Sequence, residues 1–163
     1  MTLKDFVDSL DEKTQYLLAI ELAENVLSVW HEYANNNELE YTDRVVGLKH
    51  YIKKDILSRA LETLKKEVYN PKSQNTYIYK LMEEFLEPIT AIQDDDWVLP
   101  YTVGKTFHAF WNLLCTFNEN KDKTSNFGES LIYVSINQLI DALYTDKILS
   151  EEEIKFIQRK YKR

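Results

Sequence analysis

Fourteen residues hold six carboxylates: Glu83, Glu84 and Glu87 in MEEFLEP, then Asp94, Asp95 and Asp96 in QDDDW. Clustered carboxylates suit two tasks, the binding of a hard cation and the capture of a basic partner. Other chemistry finds little support. His31, His50 and His108 stand in neither an HExxH nor a Glu-x-x-His pairing, because Ser28, Gly47 and Lys105 lie three residues before them. Cys115 sits in FWNLLCTF one position after an apolar stripe, where a small thiol packs. As a nucleophile it would need His108, seven residues earlier on the same helical face, to lower its pKa. No Gly-rich phosphate loop and no G-x-S-x-G elbow is present. These residues predict no catalytic group, no metal ligand set and no cofactor.

The acidic cluster is better read as a binding surface. Glu83 and Glu87 are four apart with no intervening base, a like-charge pair that costs a helix a few tenths of a kcal/mol. Asp94, Asp95 and Asp96 follow the end of that helix, where its dipole disfavours negative charge. Asp96 is a candidate N-cap for a next helix starting near Trp97, with Pro100 in its first turn. That role leaves two aspartates without a structural purpose. Trp97 is either a buried staple or an exposed anchor of the kind found in binding hot spots.

Charge along the chain agrees with this reading. The formal net charge is −7. Residues 1–40 carry nine acids and two bases, and residues 71–100 six acids and two bases, whereas residues 41–70 carry seven bases and four acids. Strong negative regions repel nucleic acid and anionic lipid and steer basic proteins inward. Glu83, Glu84, Glu87, Asp94, Asp95, Asp96 and Trp97 are therefore the first choice for partner binding, and Glu32, Glu38 and Glu40 the second.

The elements that position these groups read as helices. A chain of 163 residues and 19.4 kDa fits one domain over 1–163, and three Gly with three Pro are too few for a β-sandwich. The fold class is all-α, a single bundle of five or six helices. Ser9 and Glu12 form a capping-box pair that predicts a first long helix, with Tyr16, Ile20, Ala23, Leu27 and Trp30 on one face, ended by NNNE. A second helix is predicted from Thr42 or Asp43 to Asn70-Pro71, its stripe Val45, Leu48, Ile52, Ile56, Ala60, Leu64 and Val68. A third follows Ser73, carrying Ile78, Met82, Phe85, Ile89 and Ile92, with a kink at Pro88. NTYIYK, despite its alternation, belongs to it. The fourth carries Val103, Phe107, Phe110, Leu114 and Phe117 and is expected at the centre of the core. A fifth runs from about Phe127 to Tyr144, with Leu131, Val134, Leu139 and Leu143 inward. Ser150 and Glu153 box a short last helix ending in RKYKR. The start MTLKDFVDSL is no secretion signal, Cys115 has no internal disulfide partner, and no apolar run reaches membrane-spanning length, so the expected compartment is the cytoplasm.

Two resemblances follow. Glu83, Glu84 and Glu87 resemble the EExxE half of the Mg²⁺-binding motif in all-α nucleotide pyrophosphohydrolases, but the ExxD half is missing, since residues 99–115 hold no acid. The chain as a whole resembles the small all-α immunity proteins of bacterial polymorphic toxin systems, of the contact-dependent inhibition type. The likeness lies in EKTQYLLAIELAENVL, in QDDDW followed by KTFHAFWNLLCTF, in the fifth helix and in SEEEIKFI. It implies a cytoplasmic inhibitor, not an enzyme, that binds a cognate toxin domain, with neither nucleic acid nor membrane as partner. Such toxins are often basic nucleases, and an acidic surface would neutralise one. The alternatives are the pyrophosphohydrolase and a helical adaptor or regulator.

Overall fold

The computed structural model describes residues 2–71, 75–118, 123–125 and 128–162. Among them the chain forms seven helices and one small hairpin, an all-α architecture. The order is α1 (Leu3–Asp8), α2 (Glu12–Asn36), β1 (Glu40–Thr42), β2 (Lys49–Tyr51), α3 (Ile56–Tyr69), α4 (Asn75–Gln93), α5 (Tyr101–Phe117), α6 (Leu131–Thr145) and α7 (Glu151–Tyr161).

The first helix boundary differs from the expected one. Ser9 closes α1, its hydroxyl donating to the Phe6 carbonyl at 2.6 Å, and Asp11 caps α2 by accepting from the Thr14 amide at 2.8 Å. The reciprocal box at this end joins Thr2 and Asp5. The expected Ser150–Glu153 box does form at α7. The predicted starts at Ser73 and Phe127 lie outside the described residues. NTYIYK is helical within α4, which continues through buried Pro88. Ser130 caps α6, and the buried face is Ile132, Ser135, Ile136, Leu139, Ala142 and Leu143; the expected Leu131 and Val134 are half-buried.

As expected, α5 is the central helix. It packs against α2, α3, α4 and α6, and its Phe107, Phe110, Leu113 and Leu114 are fully buried. Phe107 is the hub: its ring lies 4.9 Å from Phe85, 5.6 Å from Trp30 and 5.7 Å from Trp97, centroid to centroid. Tilted and edge contacts of this kind add about 0.5–1.5 kcal/mol each beyond burial.

The main correction concerns residues 40–51. They form an antiparallel hairpin with Tyr41 opposite His50, and the helix expected from Thr42 begins at Ile56. Local chemistry explains the difference. The Asp43 carboxylate accepts from the Val45 amide at 2.7 Å, and Gly47 turns the chain at φ +73. An Asx turn followed by a left-handed glycine competes with a helix, and Thr42, Val45 and Val46 are β-branched. The apolar spacing through Val45 and Leu48 was coincidental: Val45 is 91% exposed, while Ile56, Ala60, Leu64 and Val68 are buried as expected. Accordingly, Phe107→Ala should destabilise the protein by about 3–5 kcal/mol, while Val45→Ala stays within about 0.5 kcal/mol of the parent in urea unfolding.

Candidate interaction surface

The hairpin is seated on the bundle beside the acidic turn. Its inward rings form a stack: His50 lies 4.9 Å from Tyr41 at an interplanar angle of 19°, and Tyr41 lies 5.9 Å from Trp97 at 27°. Trp97 meets Phe107 edge-on, so the stack runs into the centre of the core. Trp97 is 4% exposed, and this corrects its assignment to the contact surface. It is the staple of the two alternatives, and it can offer no ring to a partner.

Arg44, in the hairpin loop, reaches the acidic turn. Its guanidinium donates to the Asp96 carboxylate and to the Asp94 carbonyl. Asp96 therefore does not cap the next helix, which starts at Tyr101 after Pro100. Asp95 sits at φ 61. The Asp96 amide donates to the Ala91 carbonyl at 2.8 Å and the Asp95 amide to the Ile92 carbonyl at 3.2 Å, the paired bonds that close a helix around a left-handed residue. A short aspartate tolerates that conformation better than most side chains. Two of the three aspartates thus have structural roles, closing α4 and holding the hairpin.

The glutamates divide similarly. Glu84 is half-buried and accepts two hydrogen bonds from Arg59, at 2.8 and 2.6 Å. These bonds hold the Glu84 carboxyl below its ordinary value of 4.5, against a smaller opposing effect of burial, and raise the Arg59 guanidinium. Glu87 is exposed, 3.5 Å from His50 Nδ1. Glu83, Asp94 and Asp95 are exposed, and among the described residues their carboxylates form no hydrogen bond or ion pair. Of the second-choice acids, Glu32 and Glu38 are exposed, while Glu40 is half-buried and ion-paired with Lys49 at 3.3 Å.

Beside these carboxylates lies exposed apolar surface. Val45 and Val46 form the hairpin tip next to Arg44, and Val98, 78% exposed, follows the acidic turn. On α4, Leu86 is exposed between Glu83 and Glu87. A hollow of about 390 Å³ opens behind Val98, walled by Trp97, Tyr101, Lys105, His108 and Gln138. Burial lowers the pKa of His108, opposed by its hydrogen bond to the Gly104 backbone. The surface residues that sequence reasoning missed are Arg44, Val45, Val46 and Val98. The Asp43-to-Gly47 turn was the available signal for the first three.

No group of three or more His, Cys, Asp or Glu able to hold a metal occurs among the described residues. Cys115 is buried. No helix among the described residues is long and apolar enough to cross a membrane. The chain matches no protein-family model, no curated protein and no solved structure.

The Arg59–Glu84 pair has a definite acid signature. A carboxylate whose folded pKa is depressed stabilises the fold above its unfolded value and loses that contribution as pH falls through the folded value. Arg59→Gln should therefore lower stability at neutral pH and flatten the loss of stability below pH 4.5, as read by urea midpoints against pH. An unchanged acid limb in Arg59→Gln would show that the pair contributes nothing to it.

Proposed function

We propose that this protein is a stoichiometric inhibitor of a basic protein domain, an immunity protein of the polymorphic-toxin kind that acts in the cytoplasm without making or breaking a bond. The observation that carries the reading is the acidic turn and hairpin tip that Arg44 ties together: the exposed carboxylates of Asp94 and Asp95 with exposed Val45, Val46 and Val98, and exposed Glu83 farther back on α4.

Each part has a physical use. Exposed carboxylates act at a distance, raising the encounter rate with a positively charged protein and orienting it. Apolar tips act at contact, where their desolvation supplies short-range affinity. The hollow behind Val98 is sized for a partner side chain, and its rim carries Asp95. Toxin nucleases carry positive charge to hold phosphate, so an acidic face of this kind competes for the same site. Glu84 no longer belongs in the contact set, because Arg59 engages both of its oxygens. The same engagement weighs against the pyrophosphohydrolase alternative, in which that carboxylate would have to ligate Mg²⁺. A helical adaptor would use the same face for a different target.

The test needs a candidate toxin domain, to be sought in the gene neighbouring this one. Asp94→Lys combined with Glu83→Lys should slow association at least about tenfold at low salt and flatten its salt dependence, with helical content unchanged. Asp95 is tested as Asp95→Asn, which removes charge while tolerating the left-handed backbone. Association that keeps its rate and salt slope in both variants would sink the acidic-face reading. Mg²⁺-dependent turnover of a nucleoside triphosphate, abolished by Glu84→Ala, would sink the non-enzymatic one.

A further inference from the structure

We propose that the outer edge of β2 is a self-association site, at which a second copy of this chain lays its own β2 antiparallel to make a four-stranded sheet. The inference does not depend on the toxin reading.

The hydrogen-bond alternation of the hairpin defines the edge. The Asp43 amide donates to the Leu48 carbonyl at 2.8 Å, and the Ile52 amide to the Leu39 carbonyl at 2.9 Å; Tyr41 and His50 are the pair between them. In an antiparallel ladder the alternate residues, Lys49 and Tyr51, then direct their N–H and C=O groups outward. No described residue supplies a hydrogen-bond partner for those four groups. No described residue pairs with the outward groups of Glu40 and Thr42 on β1 either, but β2 is the more exposed of the two edges. Tyr51 is 73% exposed and Lys49 is exposed, whereas β1 buries Tyr41 and half-buries Glu40. An unpaired edge is a template for a further strand.

The side chains select a second copy as that strand. Leu48–Ile52 can pair with its own reversal about His50: Lys49 meets the partner's Tyr51 on the outer face, while Ile52 stays buried in its own core. Four main-chain hydrogen bonds close between Lys49 and Tyr51 of the two copies. The lysine stem covers the tyrosine ring and its ammonium lies over the ring face. A lysine on a short edge strand ordinarily discourages such pairing. Here Glu40, 3.3 Å from Lys49, offsets its charge within each copy, while exposed Glu87, 3.5 Å from His50, adds negative charge beside the seam. The seam is small and each copy carries −7, so the dimer is weak, forms at high concentration and strengthens with salt.

Sedimentation equilibrium of the intact chain from about 10 µM to about 1 mM tests this. The average mass should rise from 19.4 kDa toward twice that value, more steeply at higher salt. Tyr51→Pro removes an outward amide that the hairpin does not use, at an edge position where proline is tolerated, and should hold the protein at monomer mass. A measurement without any variant supports it: amide exchange at Lys49 and Tyr51 should slow as concentration rises, while Tyr41 and His50 change little. An intact chain that stays at 19.4 kDa throughout, or concentration-independent exchange at Lys49 and Tyr51, would overturn the proposal. So would a folded Tyr51→Pro variant that associates as strongly as its parent.

Discussion

The stack of Tyr41 on Trp97, and of Trp97 edge-on against Phe107, is the interaction on which the functional face depends. Two three-residue strands are too short to be stable alone in water. The hairpin acquires its position from the rings beneath it and from Arg44, which grips the turn after α4. Trp30 adds a second restraint where the chain leaves β2, its indole N–H donating to the Lys54 carbonyl at 2.8 Å. Because the rings lead to the hub of α5, the hairpin and the acidic turn keep one relative placement.

That arrangement divides the carboxylates by function. Glu84, Asp96 and Glu40 are each matched to a base, Arg59, Arg44 and Lys49, and hold elements together. Glu83, Asp94 and Asp95 face solvent, the two aspartates in the turn that Arg44 of the hairpin grips. Exposed ion pairs contribute little stability, so the matched acids serve mainly to orient the hairpin and the α3–α4 pair. The unmatched acids retain their field for a partner. A net charge of −7 thus overstates how much of the acid is available, because the cluster around residues 83–96 is partly compensated by bases from residues 44–59.

Much of the helical framework was legible in the sequence, and particular residues show why. The stripe Phe107, Phe110, Leu114 marked α5 as the core helix because large aromatics at helical spacing have few other places to go. Ser150 and Glu153 marked the start of α7, since a capping box is a contact among neighbours and needs no distant partner. Ser9 and Glu12 had the same spacing and failed, because Asp11 with Thr14 offered a competing cap two residues on. At residues 43–48 apolar period misled: Val45 and Leu48 matched a helical stripe, but the turn made by Asp43 and Gly47 prevailed.

The sequence by itself determined an acidic, all-α single chain, most of its helices, its central aromatic helix and where its carboxylates lie along the chain. Those are consequences of composition, local propensity and spacing. The tertiary structure decided which carboxylates are available, that Trp97 is sealed, and that valines from a hairpin stand beside the acidic turn. Arg44 and Asp96 are 52 residues apart, and Arg59 and Glu84 are 25 apart. Pairings at such separations follow from how helices pack, which no local pattern records.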